Sequence, residues 1–308
     1  MPFFLGIDGG GSKTRCLVGD RASVLGRGSA TGCNVLRVGE ACARNSLTSA
    51  IHEACVEAGI SPQQIAHTCA GIAGAADDGV ASLVQRLLIE VIGGAIEVIG
   101  DMEIALESAF ADGIGVVVIA GTGSIAYGRN GHGDVARAGG WGRMVSDEGS
   151  GHWIGVQAIR QALQAHDGGQ DDDLLEKLMS ALQVETVTDL AARVNEHPAP
   201  DFASLFPLIQ EAAETGNQMA ASVLDQAGDA LAQLVSAVIG RIFARTTELP
   251  VASHGGVFAS SRKVKKRFED QLGRLCPQAK CVDVAVNPVL GALERARREF
   301  DVWHRGQC

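Results

Sequence analysis

Asp8 is the first residue of this chain whose position suggests chemistry. It ends an apolar run, Phe3–Ile7, and precedes Gly9, Gly10, Gly11, Ser12, Lys13 and Thr14 before apolar residues resume at Cys16–Val18. Two apolar runs separated by such a turn read as a β-hairpin. Glycines in the turn let the backbone come close to a phosphate, and successive N–H groups converge on an anion. The Asp8 carboxylate cannot help an anion directly, but it can hold a Mg²⁺ ion that does. Ser12, Lys13 and Thr14 add donors. The spacing is not that of a Walker A loop, and the β-like continuation does not fit a dinucleotide fingerprint. A tight hairpin with no ligand is the other reading of these residues.

The plan recurs at Val116–Tyr127, where a β-branched run enters the turn Gly121, Thr122, Gly123, Ser124. Gly123 is expected at positive φ. Asp101, in Val98–Ala105, follows a strand and opens a helix. That places its carboxylate at the carboxyl edge of the sheet, where open α/β folds bind ligands. Locally it reads as a general base or as a helix cap. Glu103 is expected to meet solvent from another face of that helix. Asp147 and Glu148 lie in Gly139–Gly155 with Trp141 and Trp153, whose rings suit either a flat apolar ligand or ordinary core packing.

The elements that must position these residues follow from periodicity. Strands are expected at 3–7, 15–20 and 23–28, and a helix over 39–59 with Cys42, Leu47, Ala50, Ile51, Ala54 and Cys55 on its apolar face. A strand at 66–72, a helix at 80–92, a strand at 95–99 and a helix at 102–111 come next. After Gly113 the pattern restarts with strands at 115–120, 124–128 and 134–138, then a long helical region. Within it, helices are expected at 171–182, 187–195 and 206–245, the last broken at Gly216–Asn217. A strand at 251–252, a helix at 263–272, a strand at 279–284 and a helix over 289–303 complete the chain. Alternating strands and helices indicate an α/β fold with a largely parallel sheet behind a meander.

Taken together, these motifs resemble the actin-like, hexokinase-like ATPase superfamily. Asp8–Thr14 matches its first phosphate loop, Gly121–Ser124 its second, and His254–Ser260 its adenosine motif, with Gly255 and Gly256. The block Gly139–Gly155 is similar to the signature of the N-acetylglucosamine kinase and glucosamine kinase group, within the BadF/BadG/BcrA/BcrD ATPase family. The resemblance implies two actin-like (ribonuclease H-like) α/β domains with a nucleotide cleft between them, 1–112 plus about 289–308 and 113–288. It implies ATP and Mg²⁺ as cofactors, with Asp8 organising the metal and Gly10, Gly11, Ser12, Lys13, Gly121, Thr122, Gly123 and Ser124 binding phosphates. Asp101 is then the base, and Asn34, Asp101, Gly140, Trp141 and Asp147 surround an amino sugar phosphorylated at its 6-hydroxyl. Asn34 also reads as a plain turn residue, and Gly216 either lies near adenine or marks a helix junction. The alternative within the family is an ATPase activator of a 2-hydroxyacyl-CoA dehydratase or benzoyl-CoA reductase, which holds an iron–sulfur cluster with cysteines. No cysteine lies in Gly139–Gly155, which favours the kinase. A homodimer is implied by resemblance alone.

Composition bounds the rest. The 308 residues carry 39 glycines and a formal charge of −10, which argues against nucleic-acid or anionic-membrane partners. Positive potential for ATP must therefore be local. No apolar run reaches the roughly 20 residues of a membrane span, and the chain enters a strand at once, so the expected setting is cytoplasmic. The eight cysteines form no C-x-x-C pair and read as structural thiols, Cys276 and Cys281 included. The eight histidines show no zinc spacing. Lys263–Arg267 reads as a solvated helix face, and Asp171–Asp173 as a helix N-terminal charge cluster.

Overall fold

The computed structural model describes residues 1–170, 172–243 and 248–305, without the side chains of 303–305. The expected helix start at Asp171 and the expected helical residues Ala244 and Arg245 lie outside the described residues. Contacts divide the chain into two units, Met1–Ile114 with the segment from Val284 onward, and Gly115–Asp283.

The first unit runs β1 (Phe3–Gly9), β2 (Lys13–Gly19), β3 (Val24–Thr31), α1 (Val35–Val38), α2 (Glu40–Ala58), β4 (Ile65–Ile72), α3 (Asp78–Ile89), β5 (Ala95–Gly100) and α4 (Asp101–Ala109). Its sheet has the order β3-β2-β1-β4-β5. β1–β2 and β2–β3 are antiparallel, whereas β1–β4 and β4–β5 are parallel. Phe4, Leu5 and Ile7 of β1 are all fully buried because helices cover both faces of the strand. Leu5 and Ile7 join Leu47, Ile51, Val84 and Leu88 from α2 and α3 in one core. Phe4 joins Ile104, Leu293 and Phe300 in another, against the C-terminal helix (Pro288–Arg305). Gly6 admits that helix: a Cβ there would lie 2.4 Å from the Leu293 nitrogen. Arg295 fastens it further, forking onto Glu97 at 2.7 and 2.9 Å and reaching Glu107 at 3.1 Å. In α2 the expected apolar face is buried except Cys42, which is exposed; the stripe is one position narrower than its sequence suggests.

The second unit runs β6 (Gly115–Ala120), β7 (Ser124–Arg129), β8 (Val135–Gly139), α5 (Gly151–Asp167), α6 (Asp173–Ala181), α7 (Val187–Val194), α8 (Phe206–Glu214), α9 (Gln218–Ile242), β9 (Leu249–His254), α10 (Gly256–Ser260), α11 (Arg262–Leu275) and β10 (Ala279–Val282). Its sheet order is β10-β9-β6-β7-β8. Counted along the chain, that is the arrangement of the first unit: a three-stranded antiparallel meander whose first strand also pairs in parallel with the fourth, and the fourth with the fifth. The long helical region begins earlier than expected, because α5 starts inside the Gly139–Gly155 block with Ser150 as its cap. The break between α8 and α9 falls at Gly216, with φ at 102°, and Asn217 caps α9 by accepting the Ala220 N–H at 2.8 Å.

Candidate active site

In the first unit, the register of the parallel strands sets the site. Asp8 lies opposite Gly71, and Ile72 opposite Gly100, so Asp8 and Asp101 leave the same carboxyl edge of the sheet. Burial pushes the Asp8 carboxyl up to about 6, the negative charge of Asp101 adds to this, and Arg15 opposes it. Burial also raises the Asp101 carboxyl, against the Met102 N–H, which donates to Asp101 Oδ1 at 3.0 Å. Two half-buried carboxylates, one of them raised by the charge of the other, are the chemistry that would suit a hard cation. Among the described residues no group of three or more His, Cys, Asp or Glu could hold a metal. A Mg²⁺ ion here would find one or two carboxylates and would take water and phosphate for its remaining positions, a donor set that fits this ion.

A second acid shares the start of this helix with Asp101. Glu103 turns back and accepts the Gly100 N–H at 3.2 Å, so it closes the helix start instead of meeting solvent. Gly100 is the N-cap, and Asp101 sits at the first helical position with its Oδ1 accepting the Met102 N–H.

The first glycine turn is closed by Gly10 N–H donating to the Lys13 carbonyl at 2.9 Å. The Gly10 carbonyl in turn accepts from Cys33 N–H at 3.1 Å and Asn34 N–H at 3.3 Å, which stitches the start of α1 onto the turn. Asn34 caps α1, with Oδ1 accepting the Leu36 N–H at 3.1 Å. Ser12 and Lys13 are exposed, and Thr14 is buried with its hydroxyl donating to the Thr31 carbonyl at 2.7 Å. Two residues at this turn were not singled out from the sequence. Cys33 is buried beneath it, its thiol pushed up to about 11 by burial, which keeps it unreactive. Arg37 lies over it, with Nη1 3.0 Å from where a Cβ of Gly11 would stand.

In the second unit, Gly121 N–H donates to the Gly123 carbonyl at 2.9 Å, and the Gly151 N–H of α5 donates to the Gly121 carbonyl at 2.8 Å. Ser124 Oγ donates to the Glu148 carbonyl at 2.7 Å. Gly123 is outside the left-handed region, contrary to expectation. The space there is tight: a Cβ would lie 3.1 Å from Asp147 Oδ2, so a side chain would press on that carboxylate. Asp147 is buried at φ 68°, its carboxylate near the Ser124 N–H at 3.5 Å. Burial raises its carboxyl above the ordinary value, with the Ser124 N–H opposing and Glu148 adding.

Left-handed Gly139, Gly140 and Gly142 carry a loop on which Trp141, Met144 and Val145 are 65%, 87% and 79% exposed. Trp141 therefore is not a core residue; Arg137 stacks on its ring at 4.0 Å. Trp153 is half-buried in α5. Gly255, at φ 108°, would place a Cβ 2.3 Å from the Ala120 carbonyl, so the segment resembling an adenosine motif abuts the strand end that feeds the second turn. Gly256 opens α10. Gly216 is exposed at its helix junction, with nothing within 4 Å of a Cβ there. The candidates thus fall into two sets: Asp8, Gly10–Lys13, Asn34 and Asp101 in the first unit, and Gly121–Ser124, Gly140, Trp141, Asp147, Gly216, Gly255 and Gly256 in the second. Outside them, Asp172 caps α6, and Lys263 and Lys265 pair with Asp225 and Asp283 on the surface.

The chain is similar to several known proteins over nearly its whole length. The N-acetylmuramic acid/N-acetylglucosamine kinase of Clostridium acetobutylicum is 31% identical over 307 residues, covering 98% of this chain and 100% of that one. The N-acetyl-D-glucosamine kinase of Dictyostelium discoideum is 28% identical over 305 residues, covering 94% and 96%. A Chromobacterium violaceum structure described as a candidate N-acetylglucosamine kinase matches with TM-score 0.77 at 24% identity, covering 96% of this chain and 98% of the other. A ROK family glucokinase from Streptomyces griseus matches with TM-score 0.60 at 16% identity, covering 96% and 99%. These structures share the actin-like α/β fold of paired domains. Residues 5–296 match the BadF/BadG/BcrA/BcrD ATPase family, and the chain belongs to it.

Proposed function

We propose that the protein is an ATP-dependent amino-sugar kinase that transfers the γ-phosphoryl group to the 6-hydroxyl of N-acetylglucosamine or glucosamine. The observation that carries this reading is the Asp8–Asp101 carboxylate pair beside a glycine turn at one sheet edge. Asp101 takes the proton of the acceptor hydroxyl as its oxygen bonds to the γ-phosphorus. The bond from that phosphorus to the bridging oxygen breaks, and ADP departs with the electron pair. A carboxyl raised by burial suits a base working near neutral pH. Asp8 would hold Mg²⁺ through water, and the bound ion would offset the charge of the triphosphate.

The other residues have supporting parts. Gly10, Gly11, Ser12, Lys13 and Gly121–Ser124 bind phosphates; Gly255, Gly256 and Gly216 bind the adenosine. Asn34, Gly140, Trp141 and Asp147 bind the sugar, Trp141 through the exposed ring face. The relatives named as N-acetylglucosamine kinases support the acceptor class. An ATP-consuming enzyme with seven free thiols among its described cysteines fits a cytoplasmic setting, and a homodimer belongs to the same reading. The test is a coupled ADP-release screen over hexoses, hexosamines and N-acetylhexosamines, with the product position read by phosphorus NMR. ADP release that no amino sugar stimulates would overturn the proposal.

A further inference from the structure

Arg37 is the residue in the first unit whose chemistry the reading above leaves unused. It sits on α1, three positions after Asn34, and its own N–H donates to the Asn34 carbonyl at 2.9 Å. α1 is held by two bonds to the Gly10 carbonyl, from Cys33 and Asn34, so the helix cannot shift without disturbing the turn. Backbone packing adds to this: a Cβ at Gly32 would lie 2.3 Å from the Gly11 carbonyl. The Arg37 side chain then runs across the turn, with Cδ 3.5 Å and Nη1 3.0 Å from the Cβ position of Gly11. Its guanidinium is exposed, and it makes no ion pair or hydrogen bond with any described residue.

A guanidinium held over a glycine turn, with no partner among the described residues and open to solvent, is free to take an anion at that turn. Asp8 and Asp101 put only negative charge at this edge. Lys13 supplies one cation there, as a flexible point charge, whereas a guanidinium offers a planar fork matched to phosphate oxygens. We infer that Arg37 is a phosphate-binding residue that grips the terminal phosphoryl group of the nucleotide at the first turn. The ligand class is a nucleoside triphosphate, distinguished from the diphosphate by the group Arg37 holds. Asn34 and Arg37 then place acceptor contact and donor contact on a single helical turn. This rests on the nucleotide half of the kinase reading, and its test needs no sugar.

The experiment measures calorimetric affinity for ADP and for a non-hydrolysable ATP analogue, with Mg²⁺, in the wild-type protein and in Arg37→Gln and Arg37→Lys. Arg37→Gln should weaken the ATP analogue about 10–100-fold, the range for a lost charged hydrogen bond, and leave ADP within about threefold. Arg37→Lys should recover part of the loss, because charge returns without the fork. An equal loss for both nucleotides, or none for either, would overturn the assignment. If the triphosphate preference behaves as stated while no sugar is phosphorylated, Arg37 stands and the kinase reading falls.

Discussion

Asp8→Asn should make the metal-free protein more stable and catalytically inert. The Asp8 carboxyl rises from an ordinary 3.8 to about 6. Each unit of difference between folded and unfolded chains corresponds to about 1.4 kcal/mol, so ionised Asp8 costs the fold about 3 kcal/mol. Between 3.8 and about 6 the folded chain keeps a proton that the unfolded chain has lost. The folded state therefore binds more protons in that window, and stability falls as pH rises through it. The penalty is complete above 6 and absent below 3.8. An asparagine never ionises, so the variant escapes the penalty. In EDTA at pH 8 it should melt higher by about 6–12 °C, and the gap should close as the pH approaches 4. Added Mg²⁺ should stabilise the wild type through mass action and do far less for the variant. Urea or thermal unfolding at several pH values reads this directly. Equal stability at pH 8, or a gap that widens on acidification, would refute the claim that Asp8 is held at an electrostatic cost.

Asp101→Asn should lower turnover about 10²–10⁴-fold with sugar affinity within a few-fold, by steady-state kinetics and calorimetry. Gly123→Val should weaken both ATP and sugar, because its Cβ would crowd Asp147 Oδ2 at 3.1 Å, whereas Gly121→Ala meets nothing within 4 Å and should fold with unchanged melting temperature. Glu103→Ala leaves the Gly100 N–H without its partner and should cost about 1 kcal/mol in urea unfolding. Trp141→Ala should shift stability by less than about 0.5 kcal/mol, since the ring is 65% exposed, while raising the sugar KM.

The features legible in the sequence were those written in contiguous residues. Phe3–Ile7 and Val116–Ile119 are apolar runs that end at glycine turns, and both fold as first strands of a meander. The apolar spacing of α2 likewise shows its buried face, Leu47, Ala50, Ile51, Ala54 and Cys55. What escaped depends on contacts between distant residues or on elements too short to leave a period. α1 has four residues, so nothing in its pattern announced a helix or the placement of Arg37. Glu103 escaped for another reason. The capping box is recognised by a hydroxyl or acid at the N-cap, and here that residue is Gly100, which leaves only the returning carboxylate. Gly123 does not take the positive φ expected of it; what crowds it is a side chain 24 positions later in sequence.

The two glycine turns occupy equivalent places in sheets of the same order, yet they acquire their carboxylates differently. In the first unit the acid is written into the strand: Asp8 is part of β1 and pairs with Arg15 across the hairpin. In the second, β6 ends in Ala120, and the carboxylate arrives from Asp147, held in the left-handed region and packed against Gly123 and Ser124. A strand residue is fixed by its register, so Asp8 can bear a raised pKa without moving the turn. Asp147 is fixed by a loop whose conformation a side chain rarely adopts. Any ligand that bonds to the Asp147 carboxylate must therefore act on the second turn as well. If sugar hydroxyls are that ligand, acceptor binding tightens the donor's phosphate cradle through one side chain. The synergy should vanish in Asp147→Asn even where each substrate alone still binds, a difference that calorimetry with and without the second substrate resolves.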